Sequence, residues 1–163
     1  MKNIFFILFL INFCKFFAND IYVNNTGQPN TYTTISAAIT ASSSGDRIFV
    51  SPYQLYVEDL TIDKSLMITS SVTGNDFIVT GNVTINGLPG MDLRIVGGDF
   101  SGNLTANTAT STINNMADVY IIESKFGSTL TFYDYIKAHL LFLNDVGNID
   151  IRHGEIIGCD LSS

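Results

Sequence analysis

Two stretches of the chain repeat one pattern: residues 93–105 read LRIVGGDFSGNLT, and residues 119–131 read VYIIESKFGSTLT. They align without a gap at an offset of 26 residues. A looser third copy, IDIRHGEIIGCDL, is predicted to begin at Ile149, at an offset of 30. Repeats of roughly 20 to 30 residues built from short strands are typical of solenoids, whose stacked coils bury one continuous core. The positions of the first two copies that agree in type are Leu93/Val119, Ile95/Ile121, Val96/Ile122, Phe100/Phe126, Leu104/Leu130 and Thr105/Thr131.

Seven short stretches alternate inward and outward positions with a period of two, as half-buried strands do. Their alternate residues, from Ile48 and Val50 to Ile149 and Ile151, are predicted to form the core. The repeats lack both helix pairs and the leucine-and-asparagine ladder of leucine-rich repeats. We therefore predict an all-β fold, a single-stranded parallel β-helix of about five coils. The stretches are RIFV (47–50), LTI (60–62), LMI (66–68), VTI (83–85), LRI (93–95), VYII (119–122) and IDI (149–151).

One helix is predicted ahead of these strands, within residues 33–44, TTISAAITASSS. Ile35, Ala38 and Ile39 share one face at the i, i+3, i+4 spacing. A threonine is available as N-cap at position 33 or 34, and a glycine follows at position 45. Because the first coil of a solenoid exposes core side chains and unpaired edge groups, we expect this helix to cover that end.

The composition describes one acidic, foldable domain. Of the 163 residues, 46% are hydrophobic and 14% charged, which excludes a disordered, charge-extended chain. Eight basic and fifteen acidic residues give a formal charge of -7 and a pI near 4.4. This acidity argues against a protein that binds by neutralising phosphates, so nucleic acid is not expected as a partner.

Residues 1–18 are predicted to be a secretory signal peptide that is cut after Ala18. Lys2 precedes an apolar run, and Lys15 ends that run well short of the about 20 residues that a transmembrane helix needs. The remaining β-helix domain, residues 19–163, is therefore expected to be secreted, extracellular or at the cell surface, without a membrane span.

Signal removal also changes the charge and the cysteine count. Losing two of the eight basic residues and none of the fifteen acidic ones takes the formal charge from -7 to -9. Cys14 is lost as well, so Cys159 is the only remaining cysteine and no intrachain disulfide can form. With His139 and His153 as the only histidines, a zinc site is not expected.

Residues 32–69 resemble the amino-terminal cap and first coils of secreted right-handed parallel β-helix proteins of the pectin-lyase-like superfamily. The pattern there is a capping helix, Gly-Asp, a strand ending in Pro-Gly, then Tyr, Glu and a leu-x-ile-x-lys-ser-leu-x-ile run. The resemblance implies a right-handed single-stranded parallel β-helix with a short capping helix. This chain matches the pattern at Gly45-Asp46, Pro52, Tyr56, Glu58 and residues 60–68, and has Tyr53 where glycine is usual.

The resemblance also implies where chemistry would lie. Enzymes of this superfamily cleave or de-esterify acidic polysaccharides with carboxylates, an Arg or Lys base and often calcium, displayed at matching positions of adjacent coils. The repeats align Asp99, Lys125 and Glu155 at one such position. Lys125 is then the candidate base, and Asp99 and Glu155 are the candidate calcium ligands. The alternative, which we favour, is a ladder of charged residues that face solvent.

The adjacent Arg152 and His153 form a second candidate catalytic pair, although the sequence identifies no carboxylate to orient the imidazole. His139, beside the apolar run LLFL, is predicted to be a strand-edge residue. Tyr120 alternates outward and is the leading candidate for stacking on a sugar ring. The other tyrosines considered for this role are Tyr53, Tyr56, Tyr133 and Tyr135.

The sequence holds no recognisable catalytic constellation. We therefore predict a non-catalytic secreted or cell-surface β-helix protein that binds carbohydrate or serves as a structural or adhesive module. No cofactor is evident from the sequence, and calcium is the one that the resemblance allows. The alternative is a fragment of a polysaccharide lyase or esterase acting on pectin-like acidic polysaccharide. Because the third repeat stops at Ser163 without a cap, we also expect a longer parent protein, and self-association through the open carboxy-terminal coil.

Overall fold

The computed structural model describes residues 18–108, 112, 114–152 and 155–161, and within them the chain forms one helix and fourteen strands. All the strand pairs described are parallel. In chain order the elements are β1 (Asp20–Val23), α1 (Ile35–Ala41), β2 (Arg47–Val50), β3 (Leu55–Tyr56), β4 (Leu60–Ile62), β5 (Leu66–Ser70), β6 (Phe77–Val79), β7 (Val83–Gly87), β8 (Asp92–Val96), β9 (Gly98–Phe100), β10 (Leu104–Thr108), β11 (Ala117–Ile122), β12 (Lys125–Phe132), β13 (Ile136–Ile151) and β14 (Glu155–Leu161).

The strands stack on three faces of a single-stranded parallel β-helix, which is the predicted fold class. Face 1 consists of β1, β2, β5, β8, β11, the first part of β13, and β14. Face 2 consists of β3, β6, β9, the start of β12 and the middle of β13, and face 3 consists of β4, β7, β10 and the ends of β12 and β13. The described residues complete five coils on these faces, in agreement with the prediction.

The strand register confirms the 26-residue repeat. Leu93 pairs with Val119 on face 1, and Leu104 pairs with Leu130 on face 3. The length of a coil is nevertheless not constant. On face 1 the chain advances by 20, 27, 26 and 19 residues per coil along Ile48, Ile68, Ile95, Ile121 and Leu140.

The third copy predicted at Ile149 is wrong. Ile149 pairs with Leu130 on face 3, and the strand beside β11 on face 1 is the start of β13 instead. Only residues 133–135 separate β12 from β13, whereas residues 109–116 separate β10 from β11. A coil that is shortened at this corner brings the next face 1 strand earlier in the sequence than a constant repeat predicts.

The predicted core is confirmed, since its residues are buried except Ile149 and Ile151, which are partly buried against it. Three aromatic rings from face 2 lie together inside the helix. Phe100 stacks on Phe126 with ring centroids 4.6 Å apart and meets Phe77 edge to face at 5.7 Å. Aromatic pairs in these geometries add to the stabilisation that burial of the rings provides.

Helix α1 covers the amino-terminal end of the core with the predicted face. Ile35, Ala38 and Ile39 are buried, and Thr34 is the N-cap, its hydroxyl accepting a hydrogen bond from the N–H of Ala37. The helix runs over Ile35–Ala41 and is thus shorter than the predicted 33–44. The C-cap, Ser42, takes an extended backbone conformation, and the helix ends there.

Two charged side chains of the first coil form hydrogen bonds with the two ends of α1. The Glu58 carboxylate accepts hydrogen bonds from the N–H groups of Ile35 and Ser36, at 2.8 and 2.9 Å. The Lys64 ammonium donates to two carbonyl oxygens at the other end, at 3.1 and 3.3 Å. A carboxylate at the amino end and an ammonium at the carboxyl end both compensate the helix dipole. Glu58 and Lys64 therefore have structural roles here.

A ladder of side-chain hydrogen bonds joins the coils at the corner between faces 2 and 3. Asn103 N–H donates to Oδ1 of Asn82 at 3.1 Å, and Thr129 N–H donates to Oδ1 of Asn103 at 3.2 Å. The glycine before each asparagine lets the coils approach closely. A Cβ on Gly102 would lie 2.0 Å from the carbonyl oxygen of Gly81. This corner therefore requires glycine for space.

Replacing Gly102→Ala should lower the free energy of unfolding by about 1–3 kcal/mol, because the added methyl must displace the backbone of the neighbouring coil. Gly127→Ala is the matched control on the next coil, where a Cβ would meet nothing closer than a carbonyl oxygen at 3.9 Å. Urea unfolding followed by circular dichroism measures both variants. Equal losses in the two would contradict the close-approach role of Gly102.

Candidate functional site

Two long corner loops between faces 1 and 2 form the wall of a groove. Residues 51–54 join β2 to β3, and residues 71–76 join β5 to β6, but on the next two coils the same corner shrinks to Gly97 and to residues 123–124. The two long loops project beyond the two short corners beside them. The space between them is a groove of about 270 Å³, here called the Tyr53 groove. Its lining residues are Tyr53, Gly74, Asn75, Asp76, Ile78, Asp99 and Lys125.

The groove contains two of the three residues predicted to share one coil position. Asp99 and Lys125 are register partners on adjacent coils of face 2. Nζ of Lys125 lies 3.1 Å from Oδ2 of Asp76, which forms an ion pair with it. Glu155 lies elsewhere, in β14 on face 1 beside Lys137, so its predicted alignment with Lys125 is wrong. The misplaced third repeat caused this error.

Tyr53 forms the outer wall of the groove in a backbone conformation that suits glycine. Its φ is 58°, in the left-handed region, and its side chain is 74% exposed. The Tyr53 N–H donates to the carbonyl oxygen of Asp76 at 2.9 Å, and its hydroxyl donates to Oδ1 of Asn75. These two hydrogen bonds join the loop of residues 51–54 to the loop of residues 71–76. The bond from the hydroxyl also orients the Tyr53 ring beside the groove.

The groove brings together polar, charged and aromatic side chains that could contact a ligand. Lys125 contributes its ammonium to the groove through the ion pair with Asp76. Carboxylate, amide and ammonium groups lie beside an aromatic ring and the apolar Ile78. Among the described side chains, no group of three or more His, Cys, Asp and Glu residues is placed to hold a metal ion. Calcium binding stays a prediction.

Tyr120, the leading candidate for sugar stacking, lies on the outside of face 1 between two neighbours. Its ring stacks on the imidazole of His139 with centroids 4.0 Å apart, and the guanidinium of Arg94 lies 4.9 Å from its centroid. Arg94 and His139 are its register partners on the preceding and the following coil. Both ring faces are therefore covered, which leaves the ring edge and the hydroxyl for a ligand.

His139 has the carboxylate partner that the sequence did not reveal. Its Nε2 lies 2.9 Å from Oδ1 of Asp118, and its side chain is only 13% exposed. It lies inside β13, with β11 and β14 on either side, rather than at a strand edge as predicted. The prediction failed because β13 begins at Ile136, ahead of the apolar run that suggested the strand.

Each of the three arginines of the chain forms an ion pair with a carboxylate and a cation–π contact with an aromatic ring. Asp92 raises the pKa of Arg94, and Asp150 raises the pKa of Arg152, through hydrogen bonds and charge. Arg152 is therefore a paired surface residue, and His153, its predicted catalytic partner, lies outside the described residues. The three sets are Arg47 with Asp20 and Phe49, Arg94 with Asp92 and Tyr120, and Arg152 with Asp150 and Tyr133.

Comparisons with protein-family models, curated proteins and solved structures gave no match to this chain. The parallel β-helix fold therefore rests on the strand pairing described above. No helix in the described part of the chain is long and apolar enough to cross a membrane.

Sequence reasoning missed Asn75 and Asp76 as site residues. Their segment, TGND, carries the polar and glycine-rich signal of a turn between two strands. That signal predicts that a loop is present, but it does not predict which neighbouring coil the loop contacts. A site residue in such a loop can be recognised only once the register is known.

Replacing Tyr53→Gly should leave the free energy of unfolding within about 0.5 kcal/mol of wild type, because relief of the left-handed strain offsets the entropy that glycine loses on folding. Leu55→Gly is the control two residues along the chain, half-exposed but in strand β3, and should cost about 1 kcal/mol. Chemical denaturation measures both variants. A larger loss for Tyr53→Gly than for Leu55→Gly would show that the ring stabilises the fold.

Proposed function

We propose that this chain is a secreted β-helix protein of the pectin-lyase-like type that binds carbohydrate in the Tyr53 groove without cleaving it. Export is supported by the signal-peptide pattern of residues 1–18. The superfamily is supported by the match over residues 32–69 and by Tyr53, whose positive φ is what a glycine at that place would adopt. The protein would thus meet its ligand outside the cell or at its surface.

The position of Tyr53 carries the proposal. A residue other than glycine in the left-handed region costs roughly 1–2 kcal/mol. A glycine would serve this turn without that cost, and a ring that is 74% exposed recovers little of it by burial. Strain of this kind, retained at the rim of a groove, indicates function. A flat ring held in one orientation by Asn75 is suited to stack on the apolar face of a sugar.

The rest of the groove complements that ring. A sugar presents hydroxyl groups around its edge, and Asn75, Asp99 and Lys125 offer donors and acceptors for them. The volume of about 270 Å³ lies just below the range of pockets for drug-sized ligands, so the groove suits one or two sugar units. A shallow site of this size is expected to bind weakly and to gain strength through repetition along a polymer.

Binding to neutral oligosaccharides should be found on a glycan array and then measured by calorimetry. Tyr53→Ala should weaken binding at least about tenfold, since it removes the central contact of the site. Tyr135→Ala is the matched control: Tyr135 is also exposed and also has a positive φ, of 62°, but it does not line the groove. Retention of binding by Tyr53→Ala, or the absence of any bound glycan, would overturn the proposal.

One observation favours the second candidate, a fragment of a lyase or esterase acting on pectin-like acidic polysaccharide. Lys125 lies in one groove with the carboxylates Asp76 and Asp99, contributed by successive coils. This juxtaposition is of the kind that the resemblance led us to seek. The ion pair of Lys125 with Asp76 counts against a base at this position.

We expect no unsaturated product from polygalacturonate supplied with calcium, measured by ultraviolet absorbance, because the Lys125 ammonium is engaged in an ion pair with Asp76. Release of product by the wild type, together with its loss in Lys125→Ala, would establish the second candidate instead. Lys137→Ala is the control for a lysine outside the groove, on face 1.

A further inference from the structure

The Tyr53 groove has a net negative charge. Two carboxylates, Asp76 and Asp99, line it together with one ammonium, that of Lys125. Lys125 forms its ion pair with Asp76 at 3.1 Å, which neutralises that carboxylate. The groove is left with the charge of Asp99. The chain as a whole carries a formal charge of -7, so the long-range field has the same sign.

Asp99 also occupies the part of the groove that a sugar substituent would reach. It lies in β9 on the groove floor, with Ile78 of the preceding coil and Lys125 of the following coil as register partners. Because Tyr53 and Asp99 line the same groove, a sugar stacked on the Tyr53 ring would share the site with the Asp99 carboxylate. Asp99 is half-buried, so its charge is screened less than that of a fully exposed carboxylate.

This charge discriminates between classes of sugar. A uronate carboxylate placed in the groove would meet a like charge, which costs affinity. A protonated amino group would instead form a charge-assisted hydrogen bond with Asp99. We infer that the ligands of the groove are neutral or amino-bearing sugars rather than uronates, with the amino group bound at Asp99. The inference rests on the proposed function and specifies its ligand class.

Three oligosaccharides of equal length test the inference: a glucosamine oligomer, its fully N-acetylated counterpart and a galacturonate oligomer. N-acetylation removes the charge and keeps the sugar backbone. Calorimetry is done at a mildly acidic pH at which the amines are protonated. The glucosamine oligomer should bind about fivefold more tightly than the acetylated one, as expected for one solvent-exposed charge contact, and the galacturonate oligomer should bind most weakly. High salt should reduce the difference.

Asp99→Asn should abolish the preference for the charged oligomer, so that the glucosamine and acetylated oligomers bind this variant equally. Asp63→Asn is the control, since it removes one negative charge from an exposed residue outside the groove and should keep the preference. Circular dichroism verifies that both variants are folded. Equal binding of charged and acetylated oligomers by the wild type, or the same preference in Asp99→Asn, would overturn this inference alone. If none of the three oligomers binds, both this inference and the proposed function are overturned.

Discussion

The hydrogen-bond register between successive coils is the constraint on which the rest of the structure depends. Every buried N–H and C=O group of a coil must pair with the coil on either side, which fixes the neighbours of each side chain. Side chains at matching positions of adjacent coils therefore meet: Phe100 lies on Phe126 inside, Asn82 lies next to Asn103 at the corner, and Tyr120 lies against the Arg94 guanidinium outside. A substitution in one coil therefore affects the packing of the coils on either side.

The corner loops between faces do not have to keep the strand register of the coils. The candidate site lies at one of these corners. The strands on a face must match in register, but a loop between two faces can lengthen without disturbing the core. The coils differ in length between 19 and 27 residues for this reason. Residues 71–76 form such a longer corner, and they bring Asn75 and Asp76 beside Lys125 from a later coil. A rigid stack thus supports a site whose shape its loops determine.

The sequence predicted those parts of the fold that repeat or alternate. Strands β2 and β4 and the buried face of α1 lie where the pattern placed them, and the repeat paired Asp99 with Lys125 correctly. The two-residue strand β3 was missed because so short a segment shows no alternation. The third repeat, and Glu155 with it, was misplaced because a constant period was assumed where corner length is free. Asp76 has no counterpart on other coils, so no repeat could indicate it.

The arginine pairs determine how the outside of the helix meets other surfaces. Each guanidinium has a carboxylate at its edge and a ring at its face, which restrains it from turning toward an approaching anion. With these cations already matched, the excess carboxylates of a chain with a formal charge of -7 give the surface potential its sign. Two molecules that approach side by side would therefore repel each other, over a distance of about 10 Å at 0.1 M salt. Exposed strands favour lateral association, and this repulsion between like-charged surfaces opposes it.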